Sequence, residues 1–352
     1  MVETAIRAAM TALGADLLEQ LLAADTGHRG PRADCGAGHQ ATFVSYRAKT
    51  IDTVLGPVTL RRAYYHCADC RRGVVPRDEQ LGVARTSLSP GLAAMTARAG
   101  AAAPFAQAAS LLADLAGITL STKRVERSAE AAGAAATAGQ DAQAQAVLTG
   151  RVVPLPPPGP LPDMLYLAVD GTGLPMRATE TTGRPAKNPD GRAHTREAKL
   201  AALFTQTKTD DEGRPVRDPD STSYLATLEP VEHFAGLVQA EARRRGSDHI
   251  RQMVILGDGA HWIWNLAGHR FPEATQIVDL YHAREHLHEL AGLLAFIVTD
   301  PAAWLADRLT DLDNGDIHAI SRAARLYDLS GPKAQDVDRE VAYFETNAHR
   351  MR

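Results

Sequence analysis

Two aspartates stand where this sequence can do chemistry. Asp170 closes the apolar run Leu165-Tyr166-Leu167-Ala168-Val169 and is followed by Gly171-Thr172-Gly173. Asp258 closes Val254-Ile255-Leu256-Gly257 in the same way, and Gly259 follows it. Each Asp-Gly alone reads as a turn or a helix N-cap. Two of them at corresponding strand ends read as a pair of carboxylates on one sheet edge. Such a pair repels itself unless a cation lies between, and Mg2+ (or Mn2+) prefers oxygen ligands of this kind. Two ions so held can activate a water or a 3′-hydroxyl and stabilise the oxygen leaving a phosphodiester.

A second group follows in "QIVDLYHAREHLHEL". Asp279, His282, His286 and Glu289 fall on spacings of three and four, so they share one helical face, with Glu285 and His288 nearby. This reads either as a metal site or as a polar helix face. A hard Mg2+ centre does not need imidazole. Asp279 and His282 are therefore expected to position the acids or DNA.

The third group is soft. The chain has three cysteines, all between positions 35 and 70, too few for a disulfide framework. They run Cys35-x3-His39, then 27 residues, then Cys67-x2-Cys70. Tetrahedral Zn2+ takes four such ligands from two short knuckles, so Cys35, His39, Cys67 and Cys70 are the expected structural site. His66 is the alternative to His39. The bland reading is a chance cluster of buried cysteines beside a surface histidine.

The elements that must position these groups follow from pattern. Residues 2 to about 24 carry Ile6, Met10, Leu13, Leu17, Leu18, Leu21 and Leu22 at helical spacing. Residues 41–67 are rich in Thr, Val and Tyr around Gly56-Pro57, a hairpin with strands near 42–54 and 58–66. Its Arg47, Lys49, Arg61, Arg62, Arg71 and Arg72, interleaved with Tyr46, Tyr64 and Tyr65, suit contact with phosphates. A solvated sheet face would look the same. From about 88 to 140 the chain is Ala- and Leu-rich and helical. Gly117 breaks it, and Ser121 can cap a helix bearing Lys123, Arg124 and Arg127. That is the rhythm of a helix-turn-helix, or of a plain helical hairpin.

Six prolines in "VVPLPPPGPLPD" (152–163) mark a stiff, extended linker. After it come strands 164–170, 198–207 and near 222–228, helix 232–245, strand 252–257, helix 260–268, strand 275–279 and helix 281–296. This order is expected of an RNase H-like domain, an α/β core with a mixed sheet and flanking helices. The division is thus an N-terminal helix (1–30), a zinc-ribbon-like hairpin (31–80), a helical DNA-binding region (81–150), the linker (151–163) and the core (164–352). The net charge of -4 argues weakly against a protein that coats DNA throughout. No apolar run reaches membrane-spanning length and no signal-peptide pattern opens the chain, so a cytoplasmic protein is expected.

The segments "VDGTGLPMR", "TREAKLAALFTQT", "GRPVRDPDSTSY", "LGDGAHWIWN" and "IVDLYHAREHL" resemble the Kra-type insertion-sequence transposases of bacteria. These are DDE enzymes related in plan to the Mutator-like group. The resemblance runs from the ribbon near Cys35 to the C-terminus. It implies an RNase H-like catalytic core and Mg2+-dependent cutting and joining at transposon ends. Double-stranded DNA, both terminal inverted repeats and target, is the implied partner of a nucleoid-associated homo-oligomer. Asp170 matches the first catalytic acid, Asp258 the second, and Asp279-Leu280-Tyr281-His282 the Asp-x-x-His signature. The third acid of such families is a glutamate beyond a helical insertion, and "YFETNAHRMR" resembles the approach to it. Glu340 and Glu345 lie in the preceding helix and do not match. A shortened transposase that binds DNA with crippled catalysis is expected. The rivals are a DNA-binding regulator without catalysis and a generic RNase H-like nuclease with a zinc ribbon.

Overall fold

A computed structural model describes residues 2–155, 161–184, 193–327 and 329–351. Two compact units divide the chain, Met1–Gly139 and Gln140–Arg352. The division falls inside a long helix, ahead of the Pro-rich segment, of which 156–160 lie outside the described residues.

The first unit opens with helix α1 (Val2–Ala23). Strands β1 (Arg32–Asp34), β2 (Gln40–Thr53), β3 (Gly56–Cys67) and β4 (Arg72–Val74) form one antiparallel sheet in that order. The expected hairpin is β2–β3, closed at Thr53–Gly56, where Gly56 takes a positive φ of 117° that favours glycine. The two outer strands are short additions that bring the metal-type residues back beside the hairpin. Only part of the apolar pattern of α1 is used. Ala15, Leu18 and Leu22 pack on Ile51, Val58 and Leu60, while Ile6, Met10, Leu13, Leu17 and Leu21 stay exposed.

Helix α2 (Pro76–Gln80) carries Asp78, buried against the hairpin. Its carboxylate accepts from Arg62 at 2.6 Å and Lys49 at 3.2 Å. Three further helices follow: α3 (Pro90–Ala102), α4 (Phe105–Ala116) and α5 (Thr122–Leu148). Gly117 ends α4 in the left-handed conformation, φ 70°, and the Ser121 hydroxyl accepts from the Arg124 N–H, as the break and cap require. Leu92, Ala108, Leu112, Leu120 and Val125 make the core of this helical part.

In the second unit β5 (Met164–Pro175) leads, then α6 (Ala178–Thr181), β6 (Thr195–Phe204), a small hairpin β7 (Lys208–Thr209) and β8 (Pro215–Val216), and β9 (Ser223–Thr227). The polar loop expected at 178–195 lies partly outside the described residues, at 185–192. Next come α7 (Val231–Arg244), β10 (Gln252–Gly257), α8 (His261–Arg270), β11 (Thr275–Val278) and α9 (Leu280–Leu294). Three helices follow: α10 (Pro301–Asp313), α11 (Ile317–Ala324) and α12 (Pro332–Asn347). The sheet order is β11-β10-β5-β6-β9, with β11, β10 and β5 parallel and the rest antiparallel. Parallel neighbours need crossovers, and α7 and α8 supply them.

One face of β5 is apolar. Leu165, Leu167 and Val169 are buried against Phe234 and Val238 of α7 and Ile263 of α8, with Leu287, Leu290 and Leu294 of α9 in the same core. The alternation turns Tyr166, Ala168 and Asp170 to the other face. One expectation changes here. The strand does not end at Asp170: it runs on to Pro175, paired with β6 from Asp170↔Leu200 to Pro175↔Thr195. What stops is the parallel pairing with β10, last seen at Ala168↔Leu256. Gly171 is tolerated mid-strand because a Cβ there would meet the Glu197 carboxylate at 2.9 Å and Trp262 at 3.3 Å.

Asp78→Ala removes the shared anion and leaves Arg62 and Lys49 partly buried without it. It should destabilise the protein by about 3 kcal/mol, the cost of breaking a buried ion pair from one side. Chemical denaturation of the two proteins checks this.

Candidate functional site

The two knuckles converge. Cys35 follows β1 and His39 precedes β2, and between them Gly36 and Gly38 take φ of 77° and 80° to close the loop. The Cys35 N–H donates to the His39 carbonyl at 3.1 Å. Cys67 ends β3, and Cys70 sits in the turn to β4. One ligand atom from each of Cys35, His39, Cys67 and Cys70 lies within 4.8 Å of all the others. His39 Nδ1 is 3.2 Å from Cys70 Sγ, and Cys35 Sγ is 3.7 Å from it. His66 belongs to no such group and is exposed, so His39 is the histidine of this cluster.

The donor set fits a metal. All three thiols are free, and Cys35 and Cys67 are buried. Burial pushes the Cys35 thiol up, but the N–H groups of Ala37 and His39 and the thiols of Cys70 and Cys67 outweigh it, lowering its pKa to about 6. Cys70 goes the other way, to about 11, through its contact with Cys67, burial and the nearby Cys35. One thiolate forms readily and a second is opposed by the first. A divalent cation removes that opposition, and a closed Cys3His set is what tetrahedral Zn2+ takes.

The basic residues of the hairpin divide between its two faces. Register pairs Arg47 with Arg62 and Lys49 with Leu60 on one face, and Arg61 with Ala48 on the other. Arg62 and Lys49 are held by Asp78. Arg47 stacks on Tyr64 at 3.4 Å and Arg61 on Tyr46 at 4.3 Å. Arg72 donates to the Cys35 carbonyl and braces the knuckle. Arg71 is exposed in the turn, at a positive φ of 51°. On α5, Arg124 pairs with Asp52 at 2.6 Å, Lys123 with Glu126 at 2.6 Å, and Arg127 is exposed. The structure therefore gives Lys49, Arg62, Arg72 and Arg124 internal partners, leaves Arg47, Arg61, Arg71 and Arg127 exposed, and pairs the exposed Lys123 with Glu126.

The acids gather on the second unit. Ala168 pairs with Leu256, and Gly257 with Val278. Asp170 lies two residues past the last β5–β10 pair, Asp258 directly follows β10 and Asp279 directly follows β11. Three aspartates thus form a row at one end of the parallel strands. All three, with His282, line a single cavity of about 370 Å³ whose walls include Ala168, Leu200, Tyr224 and Leu256. Each carboxylate spends one oxygen locally. Asp170 Oδ1 accepts from Gly171 N–H at 2.6 Å, Asp258 Oδ1 from Ala260 N–H at 2.8 Å, and Asp279 Oδ1 from Tyr281 N–H at 2.8 Å as the N-cap of α9. Among the described residues no hydrogen bond reaches the three Oδ2 atoms. His282 Nδ1 stands 3.4 Å from Asp279 Oδ1. The row is not a three-way cluster: neither group of metal-type side chains among the described residues contains these aspartates. Neighbouring strands are about 4.8 Å apart, so the outer two acids stand roughly 10 Å from each other.

Sequence reasoning placed Glu340 and Glu345 in a helix but missed what that helix, α12, contacts. Its Tyr343 hydroxyl donates to the Asp258 carbonyl at 2.9 Å, and its Glu340 receives His286 Nδ1 at 2.6 Å. Burial, and then the carboxylates of Asp258, Asp279, Glu340 and Glu285, push the Tyr343 phenol well above its ordinary range. The usable signal was Gly259, whose φ of 105° and 2.5 Å clearance to Tyr343 from a would-be Cβ leave no room for a side chain. No helix among the described residues is long and apolar enough to cross a membrane. Comparison with protein-family models gives no match, and comparison with curated proteins gives none either.

Chelation should strip a metal from the first unit and lower its melting temperature. Elemental analysis should find Zn2+ in the chain, its content falling by one equivalent in Cys67→Ser. Equal zinc content in that variant would exclude the cluster as the site.

Proposed function

We propose that this chain is a DNA-handling protein of the DDE transposase type, with an RNase H-like core that cleaves and joins phosphodiesters at the acid row. The carrying observation is the row itself: Asp170 on β5, Asp258 just past β10 and Asp279 just past β11 line one cavity at the same end of three adjacent parallel strands, each with an oxygen that no described residue bonds. The adjacency of the first strand of the sheet to the strand after its first helix supports the RNase H-like plan. So does the order of two parallel and two antiparallel neighbour pairings. The quoted likeness to Kra-type insertion-sequence transposases points the same way.

The donors are all carboxylate oxygens, which fits Mg2+ or Mn2+ and no softer ion. Bound there, such ions would lower the pKa of an attacking water or 3′-hydroxyl and neutralise the departing oxygen. Asp170 and Asp258 would hold one flank of the scissile phosphate, and Asp258 and Asp279 the other. His282 would restrain Asp279 from the first turn of α9. The exposed Arg61, Arg71 and Arg127 would meet the DNA backbone, terminal repeats and target alike. The synaptic homo-oligomer that such enzymes form belongs to the same proposal.

A second reading is a DNA-binding regulator without catalysis. The acids' local duties favour it, since Asp258 and Asp279 each cap a backbone turn and have a structural reason to be there without metal.

The test uses the full chain and a plasmid bearing the inverted repeats that flank its own gene. Mg2+-dependent nicking at the repeats is expected, falling at least about 100-fold in Asp170→Asn and Asp258→Asn, or about 2.7 kcal/mol of barrier. Repeat binding with no nicking in Mg2+ or Mn2+ would replace the enzyme reading with the regulator. Nicking indifferent to both substitutions would refute the acid row.

A further inference from the structure

We propose that α9 and α12 form a second divalent-metal site from His286, Glu289 and Glu340, suited to a borderline transition ion such as Mn2+ or Zn2+. The site is separate from both the thiol cluster and the acid row, and it does not rest on the function proposed above. One ligand atom from each of the three side chains lies within 4.8 Å of the other two. His286 and Glu289 are three apart on α9, so they leave it on one face, and Glu340 reaches them from α12. One imidazole with two carboxylates is a set that Zn2+ and Mn2+ accept, with positions left for water.

The surroundings call for a cation. The Glu340 side chain is only 4% exposed, and a carboxylate that deep is costly unless its charge is matched. Among the described residues two basic groups approach it. His286 Nδ1 does so at 2.6 Å, and is charged only when protonated. Arg339 Nε stands at 3.7 Å, outside hydrogen-bond reach, on a side chain 69% exposed. Asp258, Asp279 and Glu285 add negative charge close enough to be felt at Tyr343. The imidazole is already oriented: its ring stacks on Tyr343 at 3.6 Å and 24°. Tyr343 in turn is fixed by its hydrogen bond to the Asp258 carbonyl.

An ion entering this site takes the place of the hydrogen bond between His286 and Glu340. It ties α12 to α9, and with α12 the Tyr343 that braces Asp258. The site is therefore a structural staple beside the acid row, with its own ligand chemistry.

The experiment is Mn2+ titration of the chelator-treated full chain, with free ion followed by electron paramagnetic resonance. Thiolate sites bind Mn2+ poorly, and Asp170→Asn with Asp258→Asn disables the acid row. Mn2+ should still bind that double variant. Adding Glu289→Ala, at an exposed position, should weaken this binding at least about tenfold, the loss that even an outer-shell partner can cause. His286→Ala should do the same, with circular dichroism confirming the fold of each. The proposal falls if the double variant binds no Mn2+, or if Glu289→Ala and His286→Ala leave its binding unchanged.

Discussion

The parallel register of β5, β10 and β11 is the constraint on which the second unit depends. Hydrogen bonds pair Ala168 with Leu256 and Gly257 with Val278, and side chains alternate between faces with a period of two. A slip of one residue would bury Asp170 and expose Val169. Burying a side chain such as Leu165 or Leu167 stabilises by roughly 1.5–3 kcal/mol, so the apolar face forbids that slip. The same burial that holds the sheet together thus aims the aspartates. Their alignment follows from core packing, and β6 carries β5 onward past the point where β10 falls away.

The first unit solves a different problem. At the knuckle end of the hairpin its core is small: Ala33, Cys35, Ala41, Ala63, Tyr65 and Cys67. Three alanines and two cysteines bury little apolar surface, and a small core of this kind needs a covalent or metal tie. The Cys3His group sits where that tie is needed. The thiols of the first unit and the carboxylates of the acid row differ in softness, so a hard ion suited to the row would be a poor occupant of the thiol cluster. The hairpin tip is held differently, by α1 from one side and by the Asp78 pairing beneath it.

Much of this was legible locally. The Asp-Gly strand end at Asp258, the spacing of the cysteines, the Gly117 break and the order of strands and helices in the second unit all show in short windows. What was not legible depends on partners far along the chain. Arg62 and Lys49 read as phosphate contacts because nothing near them announces Asp78, 16 and 29 residues away. The continuation of β5 beyond Asp170 depends on a long β6, which a glycine-rich stretch does not advertise. The exposed leucines of α1 have a helical period, but periodicity alone cannot say which of its two apolar arcs meets the hairpin. Glu340 lies 54 residues from His286, and no window joins them.

The central member of the acid row shows how such distant contacts matter. Asp258 is held from two directions: its side chain accepts from Ala260 N–H, and its carbonyl accepts from the Tyr343 hydroxyl, 85 residues on. Gly259 is compelled by the second contact, since any Cβ would strike the tyrosine ring. The Asp-Gly pair that looked like a simple turn is therefore a turn with a lid of aromatic carbon. The backbone that carries its carboxylate is thereby tied to α12. A metal-binding carboxylate gains from such restraint, because less conformational freedom is lost when the ion arrives. Among the described residues Asp170 has no equivalent brace: it is exposed, and its carboxylate accepts from the N–H of its neighbour. The row is thus braced at its centre and not at Asp170.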